Sequence, residues 1–265
     1  MTDISPATIL VIAGHDPCGG AGIQADIETI RALGGFPATV ITTLTVQDSC
    51  NIKEIYPVPA DLIKRQAEAI LHDYPVAAIK IGLLGSAENA HAVAQLLAEF
   101  PAIPVVLDTV LAAGGGAELS TNKLLDTIVR ELLPHTLLTT PNSVEARRLT
   151  HENSLEVCAN TLLRAGAQAV LITGGHETSD QVINTLYQEH QPAVSQSWTR
   201  LPGNYHGSGC TLAAAIATHL AQGKSITAAV GAAQQFTWET LNHSYQLGHG
   251  QLIPNRCYNQ NRHDA

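Results

Sequence analysis

Short β-rich apolar runs alternate with segments of helical periodicity along nearly the whole chain, and this alternation constrains the fold more than any other feature. Strands separated by helices pair in parallel and have both faces of their sheet covered. The apolar runs lie at residues 9–13, 38–44, 76–81, 104–108, 137–139 and 169–173. The sequence therefore predicts an α/β fold with a mostly parallel central sheet flanked by helices on both faces. Two further runs, at 183–187 and 193–198, predict a small β-hairpin.

No linker, low-complexity tract or internal repeat divides the 265 residues, which predicts a single domain over residues 1–265. The tail after Gly248 is polar and is predicted to be irregular. In parallel α/β sheets, ligands bind beyond the carboxyl ends of the strands. The unusual residues of this chain follow predicted strands, and they are the glycine loop 14–22, Gln47, Asp108, the pair 141–142, the turn 174–176 and the loop 206–210. We therefore expect them to converge on one edge of the sheet.

Charge and cysteine usage narrow the possible partners and the compartment. The formal net charge is −9 and only five residues are lysine, which argues against a nucleic-acid or an anionic-membrane partner. Five cysteines without a C-x-x-C pair favour reduced thiols over a disulfide framework or a zinc site. No basic segment precedes the first apolar run, and no apolar run is long enough to cross a membrane. The sequence thus predicts a cytoplasmic protein without a signal peptide.

The segment HGSGC at 206–210 precedes a run with helical spacing from Leu212 to Leu220. The first amides of a helix lack intrahelical partners and favour negative charge, and the two glycines allow an anionic group to approach closely. A cysteine in that first turn is expected to have a lowered thiol pKa, which makes Cys210 a candidate base. The alternative is a tight loop with a buried structural cysteine.

Four other polar residues have both a functional and a structural interpretation. Asp26 either complements the macrodipole of the first helix or holds a substrate hydroxyl or ring amine. Gln47 both donates and accepts hydrogen bonds, which suits a heteroaromatic ring edge, or it is an ordinary loop residue. Asn142 and Glu145 offer oxygens to hydrated Mg²⁺, or they are an N-cap and a first-turn acid. The absence of a P-loop and of G-x-G-x-x-G spacing counts against a Walker-type NTPase and a standard dinucleotide site.

Together these segments resemble the hydroxymethylpyrimidine/phosphomethylpyrimidine kinases of thiamine biosynthesis, which belong to the ribokinase-like superfamily. The resemblance covers nearly the whole chain and is carried, in order, by IAGHDPCGGAGIQAD at 12–26, LTVQ at 44–47, KIGLL at 80–84, VLDTV at 106–110, TPNSVEA at 140–146, GGH at 174–176 and HGSGCTL at 206–212. It implies a ribokinase-like fold. It also implies phosphoryl transfer from Mg-ATP to the hydroxymethyl group of an aminopyrimidine, and then to the resulting monophosphate.

The resemblance also implies roles for individual residues and an oligomeric state. Cys210 would be the general base, and its amide would form an anion hole with those of Gly207, Ser208 and Gly209. The pyrimidine would be held by Asp26 and Gln47 in a pocket lined by Gly14, Thr45, Leu83 and Val110. The nucleotide would meet Asn142, Thr173, Gly175 and His206, and Mg²⁺ would be organised by Asp108, Asn142 and Glu145. Relatives are commonly dimers, so the resemblance implies a homodimer.

Three positions depart from the family pattern. Thr173 stands where a lysine before Gly-Gly-His is usual, the neutral run at 112–116 replaces a second lysine, and Leu83 replaces a pocket methionine. Because hydrogen bonds to charged groups contribute about 1.5–3 kcal/mol each, either Arg200, Lys80 or another cation compensates, or ATP binds weakly.

Two other functions are compatible with the same pattern. One is a pyridoxal or pyridoxine kinase on this fold, because that ring also carries a hydroxymethyl group. The other is a catalytically weak pyrimidine-binding relative, which the two missing lysines would explain. The cysteine at 210 and the pair Asp26 and Gln47 favour an aminopyrimidine kinase.

Overall fold

The computed structural model describes residues 5–111 and 120–259, which form a nine-stranded sheet with helices around it. The strands are β1 (Thr8–His15), β2 (Phe36–Gln47), β3 (Ile52–Pro57), β4 (Val76–Ile81), β5 (Val105–Leu107), β6 (Leu138–Thr139), β7 (Ala169–Ile172), β8 (Gln181–Gln188) and β9 (Val194–Thr199). The α-helices are α1 (Gly22–Ala32), α2 (Ala60–Asp73), α3 (Ala87–Glu99), α4 (Asn122–Thr127), α5 (Ser143–Thr150), α6 (Leu155–Arg164), α7 (Ser208–Ala221) and α8 (Ile226–Asn242). The neutral run predicted to replace a lysine, at 112–116, lies outside the described residues.

The strands are arranged in the order β3-β2-β1-β4-β5-β6-β7-β8-β9. From β2 to β7 every neighbouring pair is parallel. β3 is antiparallel to β2, and β8 and β9 continue the sheet as an antiparallel hairpin. The predicted mostly parallel sheet and the predicted hairpin are therefore confirmed.

Helices cover both faces of the sheet, and each face has its own apolar core. Successive strand residues point to opposite faces, so β1 contributes Leu10 and Ile12 to one core and Ile9 and Val11 to the other. The first core contains apolar residues of α2, α3 and α6, and the second contains those of α1, α7 and α8. This confirms the predicted flanking helices.

Two segments differ in detail from the sequence-based expectation. The sequence predicts one helix over residues 121–133, whereas the structure has α4 followed by a π-helical turn (Ile128–Leu132) and a 3₁₀ turn (Leu133–His135). The last turn contains Pro134, whose missing amide proton does not support a continued α-helix. The tail after Gly248 has neither helix nor strand in its described part, yet Ile253 and Arg256 are buried.

None of the helices formed by the described residues is long and apolar enough to cross a membrane.

Candidate active site

The loops that follow the parallel strands converge on one cavity of about 630 Å³ at the carboxyl edge of the sheet. Its wall includes Gly14 from the end of β1, Gln47 from the end of β2, Asp108 after β5, Asn142 after β6, Thr173 after β7, and the first turn of α7. The residues that the sequence singled out are thus brought together as expected, because parallel strands end at the same edge.

Helix α7 directs its first turn into this cavity. Its N-cap is Gly207, whose φ of 79° is left-handed, and no side chain caps the first amides. A Cβ at Gly207 would lie only 2.0 Å from the carbonyl oxygen of Gly20, so a glycine is required where the two loops touch. Gly207, Ser208, Gly209 and Cys210 all line the cavity. Uncapped amides at a helix N-terminus form a binding site for an anionic group.

A buried hydrogen bond between a carboxylate and an imidazole links the glycine loop after β1 to the loop before α7. Asp16 Oδ2 lies 2.9 Å from His206 Nε2, and the amides of Cys18 and Ala21 donate to the same carboxylate at 2.8 and 2.7 Å. Burial opposes ionisation of Asp16, but the hydrogen bonds from His206 and the two amides lower its pKa overall. Gln47 Nε2 lies 3.3 Å from the same ring nitrogen of His206. The structural role of Asp16 was not predicted, since nothing in the local sequence pairs it with His206.

A second buried cluster of charges lies beneath the first turn of α7. Lys80 Nζ is 2.9 Å from Asp26 Oδ1 and 3.8 Å from Asp108 Oδ2, and all three side chains are buried. Burial raises the pKa of Asp26 to about 6 although Lys80 opposes the shift. Burial also works against the charge of Lys80, but the neighbouring acidic groups, Asp26 first, raise its pKa overall. The ion pair is therefore charged at neutral pH.

Asp26 does not reach the wall of the cavity, whereas its partner Lys80 does. The carboxylate of Asp26 is held by Lys80 Nζ through both oxygens, at 2.9 and 3.0 Å. The predicted contact between Asp26 and a pyrimidine stays a prediction, and in this geometry Lys80 lies closer to the cavity than Asp26.

The expectation of a lowered thiol pKa at Cys210 is wrong. Burial raises the pKa of this thiol to about 12, and the negative charges of Asp108 and Asp26 add to the shift while Lys80 opposes it. The helix N-terminus is outweighed because the sulfur is removed from water and lies near the carboxylates of Asp108 and Asp26. At neutral pH Cys210 is therefore a protonated thiol.

Asn142 and Glu145 form a capping box at the start of α5. Asn142 Oδ1 accepts from the amides of Val144 and Glu145 at 3.0 and 2.9 Å, and Glu145 Oε2 accepts from the amide of Asn142 at 2.9 Å. The structural interpretation of this pair is confirmed, and the metal role of both residues stays a prediction. Burial, followed by the charge of Asp108, raises the pKa of Glu145 to about 8.

The residues present fit a hydrated divalent cation better than a fully protein-ligated one. Within residues 5–111 and 120–259, no three His, Cys, Asp or Glu side chains are grouped as metal ligands. However, Asp108 Oδ2 is buried without a hydrogen-bond partner, and Asp108 raises the pKa of Glu145 by repulsion. A cation beside them would satisfy that oxygen and relieve the repulsion. Mg²⁺ is typically held in this way, by one or two carboxylates with waters and substrate phosphates.

One end of the cavity contains the residues predicted to hold a pyrimidine. Gly14, Thr45, Gln47, Leu83 and Val110 all line it. The Thr45 hydroxyl donates to Gln47 Oε1 at 3.0 Å and to the carbonyl oxygen of His15 at 2.9 Å. These contacts fix the amide of Gln47 at the cavity wall.

The other end contains two tryptophans that the sequence analysis overlooked. Trp198 and Trp238 stack with ring centroids 6.4 Å apart and an interplanar angle of 29°. Gln234 Oε1 accepts from Trp198 Nε1 at 3.0 Å and from Asn184 Nδ2 at 2.9 Å. All four side chains line the cavity, together with Thr173 and Gly175. The available sequence clue was that these are the chain's only two tryptophans.

The two named substitutes for the missing lysines are already bonded to protein groups. The Arg200 guanidinium donates to the carbonyl oxygens of Gly175, Glu177 and Ser179 at 2.7, 2.7 and 2.6 Å. Lys80 belongs to the buried cluster described above. Arg148 of α5, which the sequence analysis did not single out, is a further cation on the cavity wall.

Comparison with known proteins relates this chain to one family. A family model described as phosphomethylpyrimidine kinase matches residues 16–255. The hydroxymethylpyrimidine/phosphomethylpyrimidine kinase of Haemophilus influenzae is 36% identical over 91% of this chain and 93% of that protein. The thiamine biosynthesis bifunctional protein ThiED of Geobacter sulfurreducens is 38% identical over 92% of this chain, which spans only 51% of that longer protein.

A pyridoxal kinase and a phosphomethylpyrimidine kinase are among the solved structures with the same fold. Bacillus subtilis pyridoxal kinase, in an ADP complex, superposes with a TM-score of 0.89 at 28% identity, covering 97% of this chain and 99% of that one. The phosphomethylpyrimidine kinase of Clostridium difficile superposes with a TM-score of 0.78 at 30% identity, covering 89% of this chain and 99% of that one.

Proposed function

Because this chain belongs to the phosphomethylpyrimidine kinase family, a family of phosphotransferases with a ribokinase-like fold, we propose that it phosphorylates 4-amino-5-hydroxymethyl-2-methylpyrimidine with ATP. We propose that it then phosphorylates the monophosphate, giving the pyrimidine diphosphate used in thiamine biosynthesis. The observation that carries this proposal is the uncapped N-terminus of α7 midway along a two-ended cavity. Such an arrangement accepts two substrates and places the transferred group between them.

The two ends of the cavity suit different ring systems. At one end the fixed amide of Gln47 both donates and accepts, which matches the ring nitrogen and amino group of an aminopyrimidine. At the other end the indole rings of Trp198 and Trp238 offer flat apolar surface for the adenine of ATP. Of the residues predicted to meet the nucleotide, Thr173 and Gly175 line the cavity, which supports this role. His206 also lines the cavity but lies beside Gln47, so its contact with the nucleotide stays a prediction.

The backbone amides of Gly207 to Cys210 would stabilise the charge of the phosphoryl group during transfer. Phosphoryl transfer requires mainly alignment and charge stabilisation, and a helix N-terminus fixed before substrate binds supplies both. Asp108 and Glu145 would hold Mg²⁺, which when bound neutralises phosphate charge. The amides and the cation would supply a large part of the charge stabilisation, because Thr173 replaces the usual lysine.

Cys210 is positioned to receive the hydroxyl proton, but only after losing its own. Burial opposes the thiolate most strongly, Asp108 and Asp26 add to that opposition, and Lys80 favours the thiolate. Neutralisation of Asp108 by a cation would remove one of those two opposing charges. Cys210 would therefore act as the base only when a cation is bound beside Asp108, and not in the free protein.

The test is ADP release with three separate substrates: the hydroxymethylpyrimidine, its monophosphate, and pyridoxal. We expect turnover with both pyrimidines and a lower kcat/KM for pyridoxal. The higher TM-score to a pyridoxal kinase makes pyridoxal the second candidate substrate. Pyrimidine binding without ADP release from any substrate would leave a binding protein and exclude the kinase.

The role of Cys210 is tested by Cys210→Ala. We expect loss of most turnover and a nearly unchanged dissociation constant for the pyrimidine, because Cys210 belongs to the first turn of α7 and is not among the residues proposed to hold the ring. Unchanged turnover in this variant would remove Cys210 from the base role.

Oligomeric state, compartment and domain organisation complete the proposal. An edge hairpin of β2 and β3 exposes Leu44, Val46 and Tyr56, and exposed apolar side chains at a sheet edge favour a partner surface, which supports a homodimer. Light scattering of the protein and of Leu44→Lys tests this, and a monomeric wild-type protein excludes the dimer.

All five cysteines are free thiols, which supports a location in the cytoplasm. One sheet running through all described strands supports a single kinase domain over residues 1–265.

A further inference from the structure

A fully enclosed guanidinium lies behind the N-terminus of α7, on the side away from the cavity. It belongs to Arg256, which is only 2% exposed although it lies in the irregular tail. Arg256 Nη1 is 3.0 Å from Glu28 Oε2, but the Glu28 side chain is 49% exposed, so this ion pair is only half removed from water. Burying an arginine is costly unless its donors are used. The remaining two contacts show where those donors go.

Both contacts lead to Gly207. Arg256 Nε donates to Thr211 Oγ1 at 2.9 Å, and that hydroxyl donates in turn to the Gly207 carbonyl oxygen at 2.9 Å. Arg256 Nη2 donates to the Gly20 carbonyl oxygen at 2.5 Å. This is the oxygen that a Cβ on Gly207 would approach to 2.0 Å, so Gly20 and Gly207 are already in close backbone contact.

The two loops fit each other too closely to move separately. A Cβ on Gly20 would lie 2.3 Å from Cδ2 of His206, and the neighbouring Asp16 is bonded to the same imidazole. The backbone of the tail is attached to the same region, because the His206 amide donates to the Leu252 carbonyl oxygen at 2.8 Å. A displacement of Arg256 would therefore be transmitted to the first amides of α7.

We propose that Arg256 is a positioning residue for phosphoryl transfer, which holds the amides of Gly207 to Cys210 in place through Thr211 and Gly20. It does not touch substrate, since it does not line the cavity. The inference rests on the proposed function for the role of those amides. A group that stabilises a transition state must be held rigidly before the reaction, and small displacements reduce rate more than they reduce binding.

The test compares Arg256→Met and Arg256→Lys with the matched control Glu28→Gln. Glu28→Gln removes the exposed ion pair and leaves the contacts to Thr211 and Gly20 intact. We expect Arg256→Met to lower kcat at least tenfold with the KM for the pyrimidine within threefold, Arg256→Lys to recover part of kcat, and Glu28→Gln to stay within twofold of wild type. A folded Arg256→Met with kcat within twofold of wild type, or an equal loss in Glu28→Gln, would overturn the proposal.

A second pair of variants keeps the test decisive where Arg256→Met does not fold. Thr211→Val removes the hydroxyl between Arg256 and Gly207 at nearly constant volume, and Thr211→Ser restores it. We expect a fall in kcat of at least tenfold in the first and recovery of most of it in the second. Equal kcat values in these two variants would contradict the proposal.

Hydrogen exchange separates failure of this inference from failure of the proposed function. The Thr211 amide donates to the Gly207 carbonyl oxygen at 2.9 Å, so its exchange reports on the first turn of α7 without any substrate. We expect at least tenfold faster exchange in Arg256→Met or Arg256→Lys and no change in Glu28→Gln. If wild-type protein phosphorylates no pyrimidine, the proposed function fails, and unchanged Thr211 exchange in both Arg256 variants would overturn the positioning role independently.

Discussion

The carboxylate of Asp16 and the imidazole of His206 meet at 2.9 Å although 190 positions separate them in the chain. Both are buried, with 3% and 9% exposure. The pair fixes the glycine loop after β1 to the segment that leads into α7, and Gln47 contacts the same ring nitrogen. The end of β2 and the loop after β1 are thus both in contact with the segment that leads into α7.

Asp16→Asn is expected to lower the free energy of unfolding by about 2 kcal/mol at pH 7, because hydrogen bonds to a charged group contribute about 1.5–3 kcal/mol. Urea titration measures this. The control is Asp61→Asn, which removes an exposed carboxylate paired with Arg65, where the loss should be below about 1 kcal/mol. Equal losses of unfolding free energy in the two variants would show that the buried Asp16–His206 pair stabilises the fold no more than the exposed Asp61–Arg65 pair does.

The same variant carries a pH dependence with a defined sign. The pKa of Asp16 in the folded protein is lowered, against about 3.9 in an unfolded chain. A lowered carboxyl pKa stabilises the fold above the unfolded pKa and ceases to do so as the pH falls through the folded pKa. The stability difference between wild type and Asp16→Asn should therefore be constant from pH 7 to about pH 5 and shrink below about pH 4. A difference that instead grows on acidification would contradict the assignment.

Gly207→Ala is expected to destabilise the protein by more than about 1 kcal/mol and to reduce turnover, because alanine is strained at a positive φ. The added Cβ would also meet the Gly20 carbonyl oxygen at 2.0 Å. Gly223→Ala is the matched control, since Gly223 also has a positive φ, of 84°, and a Cβ there has no neighbour within 4 Å. Thermal unfolding of both variants measures the destabilisation. A Gly207→Ala protein as stable and as active as wild type would contradict the close backbone contact between Gly20 and Gly207.

Cys210 should be among the slowest cysteines to react with iodoacetamide at pH 8, since the thiolate is the reactive form and burial raises the pKa of this thiol to about 12. The exposed Cys50 serves as the internal reference. Peptide mass spectrometry after timed labelling gives both rates in one experiment. Labelling of Cys210 as fast as Cys50 would mean that its pKa is not raised.

Thr173→Lys is expected to lower the KM for ATP by about tenfold or more, because a hydrogen bond to a charged group is worth about 1.5–3 kcal/mol. Thr173 lies on the cavity wall, and Arg200 is already bonded to Gly175 and Glu177. Steady-state kinetics with Thr173→Ala as the size control measures the effect. An unchanged KM would indicate that another cation, such as Arg148, already serves the phosphates.

ADP is expected to change the intrinsic tryptophan fluorescence, since both tryptophans of the chain line one end of the cavity. Trp238→Phe should raise the KM for ATP more than the KM for the pyrimidine, because a smaller ring offers less stacking surface. Titration with ADP, with the pyrimidine as the comparison ligand, tests the assignment of the two ends. A larger fluorescence change with the pyrimidine would reverse that assignment.

Much of the fold followed from local pattern. The alternation of apolar runs and helical periodicity predicted the parallel sheet, and the runs at 183–187 and 193–198 predicted the hairpin β8–β9. The Ser86 cap of α3 and the Asn142 cap of α5 were also predictable, because capping depends on neighbouring residues. The break after α4 was not, since its turns at 128–135 depart from ordinary α-helical hydrogen bonding.

Which residues assemble at the carboxyl edge of the sheet can be predicted from the chain alone, because each parallel strand brings the loop that follows it to that edge. The protonation states of those residues depend on neighbours that are distant in the chain. The thiol pKa of Cys210 depends on Asp108, Asp26 and Lys80, which arrive from three other elements, and on burial, which no local pattern reports. The hydrogen bond from Arg256 to the Gly20 carbonyl oxygen likewise joins residues 236 positions apart, and it forms only once the chain is folded.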